Sequence, residues 1–138
     1  MTVAAVLTQL SVVEADITGV VRAYDETPES LSEFPCFVNY PRRGTVTPAP
    51  GSVSRAIKGI HTVVCELHIT RQNLPTAEGT ARPFIDRFCK KVFADPKLGN
   101  TVDTVNEIRY EYGRLDFGGE QHLGVRFEVD FKLQESVS

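Results

Sequence analysis

The length of this 138-residue chain is that of one globular domain, and its composition is ordinary, with 41% hydrophobic and 24% charged residues. Such a composition excludes an intrinsically disordered chain. The net charge of -3 and the lack of long Lys/Arg runs argue against nucleic-acid binding as a main role.

The N-terminal third of the chain predicts one helix followed by two short strands. Apolar residues recur over residues 2–14 at the spacing of one stripe of an amphipathic helix, and Thr2 is a suitable N-cap. Residues 19–25 and 34–40 have the composition of strands, and the acidic, proline-containing stretch between them predicts a turn. Alternate side chains of the second strand are expected on one face: Phe34, Cys36, Val38 and Tyr40.

The middle of the chain predicts a long loop, a central strand and a second helix. Residues 41–55 hold three prolines, two glycines and four Ser/Thr hydroxyls, which is typical of a loop. Residues 57–70 alternate in hydrophobicity as a long strand does. Residues 73–93 carry apolar side chains at helical spacing, and we expect Thr80 to cap this helix because Pro83 is best tolerated in a first turn.

The last part of the chain predicts a hairpin of two strands. Residues 106–114 and 123–133 alternate between apolar and charged side chains, and the Gly-rich residues 116–120 predict the turn between them. The order of elements is therefore α-β-β-β-α-β-β. It predicts a single α+β domain over residues 1–138, in which two helices cover one face of a mostly antiparallel sheet of four to five strands.

No residue pattern points to catalysis, a cofactor or a metal. Cys65 and His68 have the spacing of half a zinc site, but on a strand they point to opposite faces, so we expect a core cysteine and a surface histidine. His122, close to Asp116 and Glu120, is expected in a solvated turn. The sequence also lacks a P-loop, a dinucleotide-binding glycine motif and a nucleophile elbow, so we expect no enzymatic activity.

The cysteines and the N-terminal stretch indicate the compartment. Three widely spaced cysteines are a poor disulfide framework and predict buried thiols in a reducing environment. The N-terminal stretch has no basic segment, and Gln9 and Glu14 interrupt its apolar residues, so we expect neither a signal peptide nor a transmembrane helix. We therefore expect a protein that is assembled in the cytosol.

The predicted sheet has a face of mixed charge, which suits cross-strand ion pairs or a contact between subunits. A plain solvated face explains the same pattern. The loop at 41–55 adds a small basic spot that suits a phosphate or an acidic protein partner. The candidate interface residues are Arg42, Arg43, Glu107, Arg109, Glu111, Asp116, Glu120, Arg126, Glu128 and Asp130.

Two segments and the closing pair of strands carry a family resemblance. Residues 17–41 read ITGVVRAYDETPESLSEFPCFVNYP, and residues 94–105 read ADPKLGNTVDTV. In this order they resemble the tail terminator (tail completion, minor tail protein U-like) family of long-tailed bacteriophages. Asn100 stands where that family usually has a second glycine, and residues 42–56 match no family motif. The family-like positions, for which packing and turn geometry are the alternative explanation, are Pro35, Asn39, Tyr40, Pro41, Asp95, Pro96, Leu98 and Gly99.

The resemblance implies an α+β subunit of a six-fold ring at the head-proximal end of the phage tail tube. Such a ring ends tube polymerisation and provides the docking face for the neck (head-completion) proteins. The resemblance implies no enzyme and no cofactor, assembly in the host cytoplasm, and a place in the virion at the tail–neck junction. Because each subunit of such a ring carries a net charge of -3, we hypothesise an acidic lumen through which DNA passes without specific binding. A head–tail connector (neck) protein and a small ligand-binding or enzymatic α+β module are the alternatives.

Overall fold

The computed structural model describes residues 2–49, 56–70 and 76–137. These residues form two helices and one five-stranded sheet in the predicted order, so the α+β class is confirmed. The elements are α1 (Val3–Ala15), β1 (Arg22–Tyr24), β2 (Cys36–Pro48), β3 (Ala56–Thr70), α2 (Ala77–Ala94), β4 (Thr104–Phe117) and β5 (Glu120–Ser136). Neither helix in this described part is long and apolar enough to span a membrane.

The strands lie in the order β1-β2-β3-β5-β4. All neighbours are antiparallel except β1 and β2, which are parallel. β3 is the central strand, as predicted, and β5 pairs with β3 on one side and β4 on the other. The alternation at 123–133 explains which face of β5 is buried. Its apolar side chains all point to the buried face, and its charged side chains point to the other face.

Both helices cover the same face of the sheet, and the main core lies between them and the strands. Its centre is a group of three phenylalanine rings. The ring centroid of Phe88 on α2 lies 4.2 Å from that of Phe127 on β5 and 5.4 Å from that of Phe37 on β2. All three side chains are fully buried, and each contributes about 1.5–3 kcal/mol through the removal of apolar surface from water.

The two helix starts differ in how well they follow sequence rules. The Thr2 hydroxyl accepts a 3.1 Å hydrogen bond from the Ala5 N–H, so the predicted cap of α1 is confirmed. The predicted start of α2 near Thr80 is wrong, because the helix begins at Ala77 with Thr76 at the N-cap. Pro83 therefore lies inside the helix. It removes only the hydrogen bond to the carbonyl four residues earlier, and the burial of the apolar face of α2 on the sheet offsets that loss.

The predicted loop at 41–55 is partly wrong, since β2 continues to Pro48 and pairs with β3 as far as Ile57. Prolines are tolerated here because no strand of the described part of the chain lies on the other side of this half of β2, and because the register shifts between Pro41 and Arg43. Residues 50–55 lie outside the described residues. The side chains from Arg42 to Pro48 are exposed. Neither helix covers the two-stranded ribbon that residues 42–48 of β2 form with residues 57–62 of β3.

The sheet face opposite the helices, called the outer face below, has a small apolar cluster of its own. Leu31, in the segment between β1 and β2, packs on Cys36 and Val38. The alternate residues of β2 predicted to share a face do share one, and it is this outer face. The segment between β1 and β2 thus covers one end of the outer face and leaves the rest open to solvent.

Candidate interaction surface

An ion-pair network occupies the middle of the outer face. The Arg109 guanidinium on β4 donates two hydrogen bonds to the Asp130 carboxylate on β5, of 2.6 and 3.0 Å, and one of 2.5 Å to Glu107. The Thr62 hydroxyl on β3 donates a further 2.6 Å bond to Asp130. The hydrogen bond from Arg109 is the main reason that the pKa of Asp130 is held below its usual range. The antiparallel register sets these contacts, because Glu107 lies opposite Asp130 in the ladder.

Arg42 connects the ribbon to this network. It is the extra residue of the β-bulge, and its guanidinium forms an ion pair with Glu128 on β5, two strands away. Arg109 lies directly opposite Glu128 in the β4–β5 ladder, with 3.8 Å between Arg109 Nε and Glu128 Oε2. Exposed ion pairs of this kind stabilise a fold by only about 0–1 kcal/mol each. The network therefore sets the charge pattern of the surface and contributes little to the stability of the fold.

Arg126, also on the outer face, has a buried nitrogen that forms no hydrogen bond within the described residues. It lies in register between Glu66 on β3 and Glu111 on β4, and the buried nitrogen is its Nε. It lines a shallow cavity of about 280 Å³ together with Arg42 and Arg109. The other residues that line it in the described part of the chain are Tyr110, Glu111 and Glu128. Its guanidinium groups suit a carboxylate or another anion.

A chain of buried polar side chains lies at the covered end of the outer face. The Tyr40 hydroxyl donates a 2.6 Å hydrogen bond to Glu66, and the other carboxylate oxygen of Glu66 lies 3.2 Å from His68 Nε2. His68 Nδ1 lies 3.0 Å from His122 Nδ1, and His122 Nε2 lies 3.3 Å from Glu120. Burial raises the pKa of Glu66, but hydrogen bonds from His68 and Tyr40 outweigh it and hold that pKa below its usual range.

The predicted surface positions of the two histidines are wrong. His68 is 0% exposed and His122 is 2% exposed. The ring of Phe117 contacts His68 edge-on, and that of Phe34 contacts His122 in the same way. Alternation along β3 does place His68 on the outer face, but nothing in the sequence predicted that rings from other segments would cover the two histidines. Among the described residues no group of three side chains is arranged to hold a metal ion.

The two candidate residues near the last hairpin lie apart from the network. Asp116 and Glu120 lie on either side of the turn at Gly118 and Gly119, whose φ angles of 57° and 84° confirm the predicted glycine turn. Glu120 is exposed and contacts His122 at the end of the chain of polar side chains described above. Asp116 is exposed and pairs in register with Gln121. The structure thus groups the other candidate residues and leaves Asp116 and Glu120 outside that group.

The family-like positions in the second strand have local structural roles. The Asn39 amide donates a 2.8 Å hydrogen bond to the Tyr24 carbonyl and so ties β2 to β1. Tyr40 begins the polar chain described above, and Pro41 lies at the bulge. Pro35 follows Phe34 through a cis peptide bond. These contacts fit the explanation by packing and turn geometry.

The family-like turn after α2 is also explained by local geometry. Asp95 accepts a 2.8 Å hydrogen bond from the Gly99 N–H. The φ angles of Leu98, Gly99 and Asn100 are 46°, 62° and 66°, so three consecutive residues are left-handed. Asn tolerates this conformation better than most residues, which explains an Asn at position 100. The Pro96 carbonyl accepts a bond from the Val105 N–H and holds the turn at the start of β4.

Two strand edges remain open among the described residues. β1 pairs with only the first three residues of β2, from Cys36 to Val38, so the rest of β2 has a free edge. β4 is the last strand at the other end of the sheet and pairs only with β5.

Comparison with protein-family models and with curated proteins found no match to this chain.

Proposed function

We propose that this protein is a structural subunit of a phage virion that caps the head-proximal end of the tail tube. In this role it assembles into a six-fold ring, ends tube polymerisation and offers a docking face to the neck proteins. The proposal begins from the sequence resemblance in residues 17–41 and 94–105. The structure supports it with one observation above all, which is that the sheet has an open strand edge at each end within residues 2–49, 56–70 and 76–137.

An open strand edge is a liability for a monomer, because its unpaired N–H and C=O groups promote pairing with other chains. Two such edges on opposite sides of one sheet suit a subunit whose neighbours cover both. Heterologous contacts of this kind close into a ring when the rotation between subunits allows it. The exposed ribbon of β2 and β3 adds a surface that neither helix covers.

The charged outer face supplies a second surface for partners. Its ordered ion pairs, centred on Arg109, fix a pattern of charge that a neck or tube protein can match. The surface is mixed in sign rather than basic, which agrees with passage of DNA without specific binding. A pocket of converging polar groups would favour the ligand-binding or enzymatic alternative. The shallow cavity beside Arg126 is such a pocket, since three arginines and two glutamates line it, and it keeps that alternative open.

Light scattering of the purified protein, alone and mixed with its tail tube protein, tests the proposal. We expect a mass near six times the subunit mass of 15.3 kDa in at least one of the two samples. A mixture with an unrelated protein of similar size is the control. A strict monomer in both samples, without binding to the tube, contradicts the ring and leaves the head–tail connector as the next candidate.

A further inference from the structure

We propose that the free edge of β4 in one subunit pairs antiparallel with the free edge of β2 in a second copy of this chain. The inference rests on the proposed ring and goes beyond it, since it names the strands, their direction and the residues that meet. The contact extends the five-stranded sheet from one subunit to the next.

The strand directions allow this pairing without any rearrangement. β2 is antiparallel to β3, β3 to β5 and β5 to β4, so β2 and β4 run in opposite directions at the two ends of the sheet. A rotation about an axis roughly along the strands keeps those directions. The β2 strand of the next subunit then meets β4 antiparallel, which is the geometry of every other contact in the sheet except that of β1.

The charges of the two edges are complementary on the outer face. Arg43 on β2 and Glu111 on β4 are both exposed. Neither side chain forms a hydrogen bond within the described residues, although Arg43 lies close enough to Asp130 to contribute to lowering its pKa. When Arg43 is placed opposite Glu111, the exposed cation of one subunit meets the exposed anion of the next. Opposite charges directly across a strand pair stabilise it, and like charges destabilise it.

The same register brings apolar side chains together on the helix side. With Arg43 opposite Glu111, Val46 falls opposite Ile108, and Gly44 falls opposite Tyr110. Val46 is 50% exposed and Tyr110 is 57% exposed, so both have apolar surface left to bury. The His61 ring lies over Gly44, where a Cβ would stand, so Tyr110 of the next subunit would meet that ring. The ladder would run over residues 43–48 of one copy and 106–111 of the other, and it ends at the β4 bulge between Val105 and Glu107.

A charge exchange tests this pairing. Arg43→Glu and Glu111→Arg are each expected to lower the association constant between subunits about tenfold, because each places like charges opposite one another. The double variant restores the pair and should assemble like the parent protein. Lys90→Glu, the same charge change on the exposed side of α2, is the matched control and should assemble normally. Thermal melts of all four variants check that each folds.

A cysteine pair gives an independent readout. In Val46→Cys combined with Ile108→Cys, oxidation should link subunits into a covalent series on a non-reducing gel, since directly opposed residues have the Cα separation of a disulfide. A bond within one subunit is excluded, because β3 and β5 lie between the two strands and separate them by about 14 Å. Each single cysteine variant serves as its control.

The outcomes separate this inference from the proposed function. Rescue by the double variant supports the pairing. If the parent protein forms a ring and both single charge variants assemble equally well, the edge pairing is wrong while the ring stands. Loss of assembly in Glu111→Arg alone indicates pairing between two β4 strands and also overturns it. A parent protein that never assembles, with or without tube protein, overturns both.

Discussion

Asn39 on β2 donates a 2.6 Å hydrogen bond from its amide nitrogen to Glu14 Oε1 on α1, and both side chains are buried. The remaining oxygens, Asn39 Oδ1 and Glu14 Oε2, are buried without a hydrogen-bond partner among the described residues. A proton on Glu14 would leave this buried position without a net charge. This pair joins the first helix to the sheet.

The Glu14 proton should make stability depend on pH. Burial raises the pKa of Glu14 to about 8, against 4.5 for the free side chain, although hydrogen bonds from Asn39 and Cys65 oppose the shift. The folded state therefore holds a proton that the unfolded state releases between these two values. Because folding binds this proton, stability is greatest below pH 4.5 in this respect and falls as the pH rises to about 8.

Glu14→Gln should remove this dependence while it keeps the shape and the hydrogen bonds. We expect the variant to be more stable than the parent at pH 9 by a few kcal/mol and to differ little near pH 4. Urea unfolding of both proteins across this range measures the difference, in which the effects of all other titrating groups cancel. Parallel curves for the two proteins would show that Glu14 is not protonated in the fold.

Removal of His68 should destabilise the fold strongly. His68→Ala leaves a cavity and takes the buried partner from both Glu66 and His122, and we expect a loss of about 2–4 kcal/mol. His61→Ala is the control on the other face of β3. His61 is only half-buried, and it stacks on Phe131 with ring centroids 5.5 Å apart. Its loss should cost less than half as much, and equal losses would contradict a special role for the histidine chain.

Gly124 is required by the close approach of β3 and β5. A Cβ at this position would overlap the carbonyl oxygen of Leu67, which is backbone and cannot move aside cheaply. We expect Gly124→Ala to destabilise the protein by about 1–3 kcal/mol. Gly113, directly opposite Gly124 on β4, has open space around it and is the matched control. Chemical denaturation measures the free energy of unfolding of Gly124→Ala and of Gly113→Ala. Equal values for the two variants would contradict the requirement for glycine at position 124.

The ion-pair network should matter less for stability than for binding. Arg109→Ala removes the main partner of Asp130, yet Arg109 is 40% exposed, so we expect a loss of about 1 kcal/mol or less. Asp130 has a depressed pKa, so its share of stability is present at neutral pH and is lost as the pH falls through that value. Unfolding at low and high salt measures this term. A loss of several kcal/mol would contradict the assignment of this surface to partners.

The features that follow one strict period could be predicted from the sequence. The alternation of residues 123–133 fixed which side chains of β5 are buried, and the same rule placed Glu107, Arg109 and Glu111 together on the outer face. Helical spacing predicted both helices. Residues of β4 and β5 that were predicted on the same face therefore lie opposite one another in the β4–β5 ladder.

The errors arose where local composition and tertiary context disagree. Prolines and glycines in residues 41–48 favoured a loop, but an edge strand accepts Pro41 and Pro48 where a central strand would not. Pro83 suggested a later helix start, whereas packing of Phe84 and Phe88 holds the longer helix. Phe117 packs on His68, and Phe34, from a segment without periodicity, packs on His122, so the environment of the two histidines could not be derived from their own strands.

The most direct test of the proposed cap is electron microscopy of tail tubes grown with and without this protein. We expect density for a ring at one end of each tube and no further growth from that end when more tube protein is added. Arg43→Glu serves as the variant expected to cap poorly. Tubes that lengthen equally from both ends in the presence of the protein, with no density at either end, would contradict the account.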